Sequence, residues 1–166
     1  ACVPQRAFLF SGTIRTTLQH GRPGARDDEL WEALRAAQAA DFVQDLDDGL
    51  DHEVDQGGVN FSGGQRQRLA IARALVREAG VYIFDDSFSA LDYATDARLR
   101  AGLARAAGGA TLVVVAQRVA SIRSAEQIVV LDEGRVVGIG THGELMESCP
   151  TYAEIVLSQI SAQEAA

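Results

Sequence analysis

The sequence predicts an α/β fold in which a mainly helical segment leads into one part of a sheet-and-helix layer, on three observations. The apolar run Val81-Tyr82-Ile83-Phe84 ends on two carboxylates, Asp85 and Asp86. Such a run fits a buried strand, and open α/β sheets collect their ligands at the carboxyl ends of strands. After Gly80, strand-like and helix-like patterns alternate, which is the mark of an α/β layer. Before it, Ser62-Gly63-Gly64-Gln65-Arg66-Gln67-Arg68 opens the periodic run Leu69, Ala70, Ala72, Arg73, Leu75 and Val76. Two glycines after a serine read as an uncapped helix start able to face an anion, with a phosphate the obvious guest; the plainer alternative is a helix start beside a flexible loop.

The elements follow in order. Ala1-Cys2-Val3-Pro4-Gln5 reads as a strand exit with no β-turn-α unit before it, as if the chain had been cut there. A short helix is expected from Ser11 to Leu18, broken by Arg22-Pro23-Gly24. Asp27 and Asp28 stand at the positive end of an amphipathic helix carrying Leu30, Trp31, Leu34, Ala37 and Ala40, and Asp41 to Leu46 adds another. Asp47 to Asn60 is polar and glycine-bearing, a loop leading into a helix from Ser62 to Glu78. Strands are expected at 81–85, 111–116, 127–131 and 136–139, the last two joined as a hairpin through Asp132-Glu133-Gly134-Arg135. Helices are expected at 94–107, 119–123, 143–147 and 152–161. The change of pattern suggests a division into residues 1–79 and 80–166.

Composition narrows the function. A chain of 166 residues is long enough to bury about 70% of its unfolded surface. A net charge of −8 disfavours nucleic acid as a partner. No apolar run approaches the roughly 18 residues of a membrane span. Cys2 and Cys149 lie far apart and His20, His52 and His142 form no metal-ligand spacing, so neither a disulfide framework nor a zinc site is indicated. A reducing, cytoplasmic setting is the default. All 15 basic residues are arginine, so a G-x-x-x-x-G-K-[ST] phosphate loop is absent from these residues.

The serine-glycine-glycine helix start and the Asp-terminated apolar run together resemble the signature and Walker B motifs of ATP-binding cassette (ABC) ATPases, and the order of the remaining segments resembles the exporter type. Val3-Pro4-Gln5 resembles the Q-loop, and Ser87-Phe88-Ser89-Ala90-Leu91-Asp92 the D-loop that bridges two domains. Asp55 to Asn60 falls where these exporters carry a loop that touches the membrane domain, with Gln56 where glutamate is usual. The resemblance implies a helical subdomain followed by the distal part of a RecA-like core. It implies Ser62, Gly63, Gly64, Gln65, Gln5 and Asp92 as ATP-binding residues, Asp85 and Gln5 as Mg²⁺ ligands, and catalytic positions at Asp86 and Gln117. It also implies a second ABC domain bound head to tail, a transmembrane partner, and a place on the cytoplasmic face of the membrane. Arg66 and Arg68 are read as a solvated face of the signature helix rather than as phosphate ligands.

Two positions depart from the family pattern. Asp86 stands where a longer glutamate usually positions the attacking water, and a misplacement of about 1 Å there can cost on the order of a hundredfold in rate. Gln117 stands where a histidine is usual; glutamine can hydrogen-bond a phosphate but cannot become a cation near neutral pH. The expected reading is the degenerate-site half of an asymmetric or heterodimeric exporter, with the present 166 residues inactive alone. Tolerated variation in an active homodimer is an alternative reading of the two positions. A chromosome-maintenance or repair ATPase would share the motifs but requires heptad coiled coils, which the short stretch between Gln5 and Gln65 lacks. A stand-alone regulatory module that lost its phosphate loop is the remaining alternative.

Overall fold

The computed structural model describes residues 1–164, with side chains through residue 160. The chain forms two compact units, Ala1–Val115 and Ala116–Ala166. The pattern change at 79/80 lies inside the first.

The first unit is built around a three-stranded parallel sheet in the order β1 (Cys2–Val3), β4 (Val81–Asp85), β5 (Thr111–Val115). Val3 pairs with Phe84 and Phe84 with Val114, so the register carries one face of the sheet across all three strands. Tyr82 and Phe84 turn to the buried side, stacked on one another and continued by Phe88. The opposite face, Val81, Ile83, Val113 and Val115, is apolar and exposed.

The helices are α1 (Ile14–Gln19), α2 (Asp27–Ala36), α3 (Ala40–Gln44), α4 (Gly63–Val76) and α5 (Tyr93–Ala106). Helix α4 is the hub, contacting α1, α2 and β1. Its Leu69, Ile71 and Leu75 are buried, each contributing roughly 1.5–3 kcal/mol. Leu30 and Leu34 of α2 and Ile14 and Leu18 of α1 complete the core. Helix α2 ends earlier than expected because Gln38 takes a left-handed φ of 56°, after which α3 begins. The loop expected at 47–60 carries more order than its composition suggested: β3 (Glu53–Val54) pairs antiparallel with β2 (Gly12–Thr13), and Asn60 accepts from the Asp55 N–H while donating to the Glu53 carbonyl. Two-residue strands have no periodicity to read, which is why this pair was not anticipated.

Arginine–carboxylate clusters bind the periphery of this unit. Arg15 joins Asp27 and Asp51, and its guanidinium holds the Asp51 carboxyl below the usual carboxylate range. Arg22 joins Glu29 at 2.7 Å and Glu78 at 3.0 Å. Such exposed pairs contribute little to stability, because solvent screens them.

The second unit carries α6 (Val119–Ile122), the hairpin β6 (Ile128–Asp132) and β7 (Arg135–Gly140), α7 (His142–Ser148) and α8 (Pro150–Glu164). Glu133 and Gly134 both have positive φ, as a tight hairpin turn requires. Its core is Val119, Ile128, Val130, Leu145, Cys149, Tyr152 and Val156. Thr141 and Glu144 form a capping box on α7. His142, the first residue of α7, is half-buried, its Nδ1 2.9 Å from the Tyr152 hydroxyl.

Among the described residues no helix is long and apolar enough to cross a membrane.

Candidate nucleotide and signature site

Every candidate residue except Gln117 lies in the first unit. Gln5 and Asp86, far apart in sequence, are brought into contact: the Gln5 amide Nε2 donates to Asp86 Oδ2 at 3.0 Å. Asp86 is half-buried, with φ 45° in the left-handed region, where aspartate is among the better tolerated residues. Its backbone is fixed on two sides, the N–H donating to the Val115 carbonyl and the carbonyl accepting from Ser89 Oγ at 2.8 Å. Asp85, the last residue of β4, is exposed on the same face as Ile83.

The helix start at Ser62 corrects the sequence expectation. It is capped: Ser62 Oγ accepts from the Gln65 N–H at 3.2 Å and Gln65 Oε1 accepts from the Ser62 N–H at 2.9 Å. Ser62 and Gln65 thereby close on each other. The N–H groups of Gly63 and Gly64, at the first two helical positions, are the ones that intrahelical bonding cannot serve. A Cβ built on Gly64 would lie 3.6 Å from the Ala90 carbonyl and 3.7 Å from Leu91, so the signature turn sits directly against the D-loop segment.

Arg66 and Arg68 also differ from expectation. Neither is a freely solvated side chain: Arg66 donates to the carbonyls of Phe61 and Gly58, while Arg68 donates to the Gln38 carbonyl at 2.6 Å and lies over the Phe42 ring. Burial pushes the Arg68 guanidinium down from its ordinary range. Both arginines hold loops against α4. Asp92, expected at the nucleotide, caps α5 through a 2.9 Å bond from the Thr95 N–H, which draws its carboxyl below the usual range.

In the second unit Gln117 is exposed, its carbonyl accepting from Gln159 Nε2 at 2.7 Å, while Gln159 Oε1 accepts from the Val119 N–H. Gln159 thus pins the backbone on either side of Arg118, a role for which the sequence offered no signal.

Sequence reasoning also passed over Gln67 and Ser87. Ser87 Oγ donates to the Val3 carbonyl at 2.8 Å, and Gln67 Nε2 to the Pro4 carbonyl at 3.2 Å. The signal for Gln67 was present: it shares a helical stripe with Ile71 and Leu75, and a polar side chain on an apolar stripe needs a partner. A cleft of about 600 Å³ opens here, lined by Gln5, Arg6, Gly63, Arg66 and Gln67 among others.

The oxygen donors present suit Mg²⁺, which takes one or two carboxylates together with phosphate oxygens. Asp85 supplies an exposed carboxylate, and Gln5, whose nitrogen faces Asp86, keeps its amide oxygen as an acceptor. No group of three or more His, Cys, Asp or Glu that could hold a metal ion is present among the described residues.

The family described as ABC transporter matches residues 1–89. An uncharacterized ABC transporter ATP-binding protein of Mycobacterium bovis is 54% identical over 95% of this chain, and an ATP-dependent lipid A-core flippase of Shewanella oneidensis is 42% identical over 98% of it. In both cases the match covers 27% of the relative. The solved structure of a bacterial Atm1-family ABC exporter with ATP bound superposes with a TM-score of 0.91 at 37% identity, over 96% of this chain and 28% of that one. The match to transporters sets the chromosome-maintenance alternative aside. The chain belongs to the ABC transporter family, as part of an exporter-type nucleotide-binding domain.

Proposed function

We propose that these residues serve ATP hydrolysis in an exporter, pairing head to tail with a second ABC domain and joined to a transmembrane domain at the cytoplasmic face. On this reading Ser62, Gly63, Gly64 and Gln65 face the nucleotide held by the partner domain, and Asp92 belongs to the loop between the two domains. Asp85 and Gln5 would hold Mg²⁺, which neutralises charge on the phosphates. Asp86 would orient the attacking water and Gln117 would donate to the γ-phosphate. The 166 residues alone, which contain no lysine, are proposed to be inactive.

We further propose that this chain contributes the degenerate Walker B side and a competent signature. The observation that carries it is the contrast between a fully formed signature helix start and Asp86, whose short carboxylate already accepts from Gln5. In the full-length transporter, Asp86→Glu combined with Gln117→His should let the weak site hydrolyse ATP, while neither change alone suffices, since groups acting as a unit are non-additive. The measurement is single-turnover hydrolysis with the other site silenced by mutation. An increase on the order of a hundredfold supports the reading. A double variant no faster than the unmodified protein overturns it.

A further inference from the structure

We infer that Gln67 is a positioning residue that ties the signature helix to the Gln5–Asp86 contact, so that nucleotide engaged at the signature is felt at this domain's own Walker B acid. The inference rests on the ATP-binding reading above.

It starts from three consecutive residues. Val3 ends β1, and its carbonyl accepts from the buried Ser87 hydroxyl just beyond the Walker B acid. The next carbonyl, Pro4, accepts from Gln67 of α4. Pro4 has no N–H and a fixed φ, so its carbonyl is the one backbone group by which that residue can be held. The following side chain, Gln5, returns to Asp86 at 3.0 Å. The loop is therefore gripped once from the sheet side and once from the signature helix, and the gripped segment ends on the side chain that touches the acid.

Helix stability does not account for an amide at position 67. Gln67 is 3% exposed on the stripe that carries Ile71 and Leu75, where an apolar side chain would be buried without a desolvation cost. What the amide adds is a bond directed at one carbonyl, that of Pro4. The same helix carries Ser62 to Gln65 at its start, one turn before Gln67. A displacement of that turn toward a nucleotide would pull on Pro4 and with it on Gln5.

A control is available in the same unit. Gln19 Nε2 donates to the Ala25 carbonyl at 3.0 Å, a similar amide-to-backbone tie that involves none of the site residues. The test compares Gln67→Met and Gln19→Met in the full-length transporter. Hydrogen exchange at the Gln5 and Arg6 amides is followed without nucleotide and with MgATP, alongside kcat and KM for ATP. In Gln67→Met these two amides should exchange about tenfold faster without nucleotide and lose their response to MgATP, and kcat should fall about tenfold with KM within twofold. Gln19→Met should leave all of these readouts unchanged. The inference is overturned if exchange at Gln5 and Arg6 in Gln67→Met matches the unmodified protein, whatever happens to Tm. If MgATP fails to protect the amides of Ser62 to Gln65 in the unmodified protein, the ATP-binding reading fails instead, and the nucleotide-free exchange at Gln5 and Arg6 still decides whether Gln67 holds the loop.

Discussion

At Gly21 and Gly102 the helices leave no room for a side chain. A Cβ on Gly21 would fall on the Arg73 carbonyl of α4, and one on Gly102 would come within 2.6 Å of the Ala36 carbonyl at the end of α2. At Gly63 and Gly64 there is room: the nearest atoms to an added Cβ are 4.0 Å and 3.6 Å away, ordinary contact distances. The first pair is glycine because this chain's own backbone demands it. At the second, nothing within the chain does so, and both residues stand at the first turn of a capped helix where alanine would raise helix propensity by about 1 kcal/mol. On the proposed reading, the small residues leave that helix start open to a phosphate held by the partner domain.

The most severe way to break this comparison is Gly21→Ala. The obstructing atom is a backbone carbonyl within α4, so α1 and α4 must separate, at a cost of about 3 kcal/mol. Urea unfolding reads it directly as a shift in midpoint at constant slope. A midpoint unchanged from the parent would mean that the seam is looser than the backbone positions indicate.

A smaller effect sharpens the account of the same seam. Thr17 of α1 is fully buried and its hydroxyl has no hydrogen-bond partner among the described residues. Thr17→Val removes an unpaired polar group at nearly constant volume and should stabilise the protein by about 1 kcal/mol, seen as a higher Tm by calorimetry. Destabilisation would mean that the hydroxyl is served by a buried water.

The smallest effect is electrostatic. The Asp92 carboxyl is held below its ordinary range by the Thr95 N–H, and Glu144 by that of Thr141. A carboxylate whose folded pKa is depressed gives stability that is present above its unfolded value, about pH 4, and is lost as pH falls through the folded value. Asp92→Asn keeps a capping oxygen but removes this proton linkage, so stability below about pH 4 should fall less steeply with acid than in the parent. Identical slopes would assign the acid sensitivity to other carboxylates.

How much of this was legible in the sequence depends on the range of the interactions involved. The strand 81–85 and the long helices announced themselves by periodicity, because burial of one face is a local pattern in sequence and a single direction in space. The start of α4 was read at the right residues but with the wrong chemistry, since the reciprocal bonding of Ser62 and Gln65 depends on rotamers and competes with the view of a bare helix end. Only the family resemblance put Gln5 and Asp86 at one site, and the direct hydrogen bond between them was not legible in the residues. It arises because β1 and β4 are parallel neighbours whose carboxyl ends share an edge, a consequence of sheet order that periodicity does not encode. Arg66 and Arg68 were misjudged for a related reason: their partners are carbonyls of loops, and composition cannot say which loop folds back onto which helix.

Gly64→Asp beside Asp86→Asn tests most directly the proposal that the start of α4 serves a phosphate from outside the chain while Asp86 serves the weaker site. An aspartate at the second helical position has space and complements the helix dipole, so the fold should be as stable as the parent's or slightly more so. It also sets a carboxylate where the γ-phosphate belongs, so steady-state ATP hydrolysis by the full-length transporter should fall to background. Asp86→Asn should leave most of the turnover intact. Equal loss of hydrolysis in the two variants, or a Gly64→Asp protein that hydrolyses ATP at the parental rate, would contradict the account.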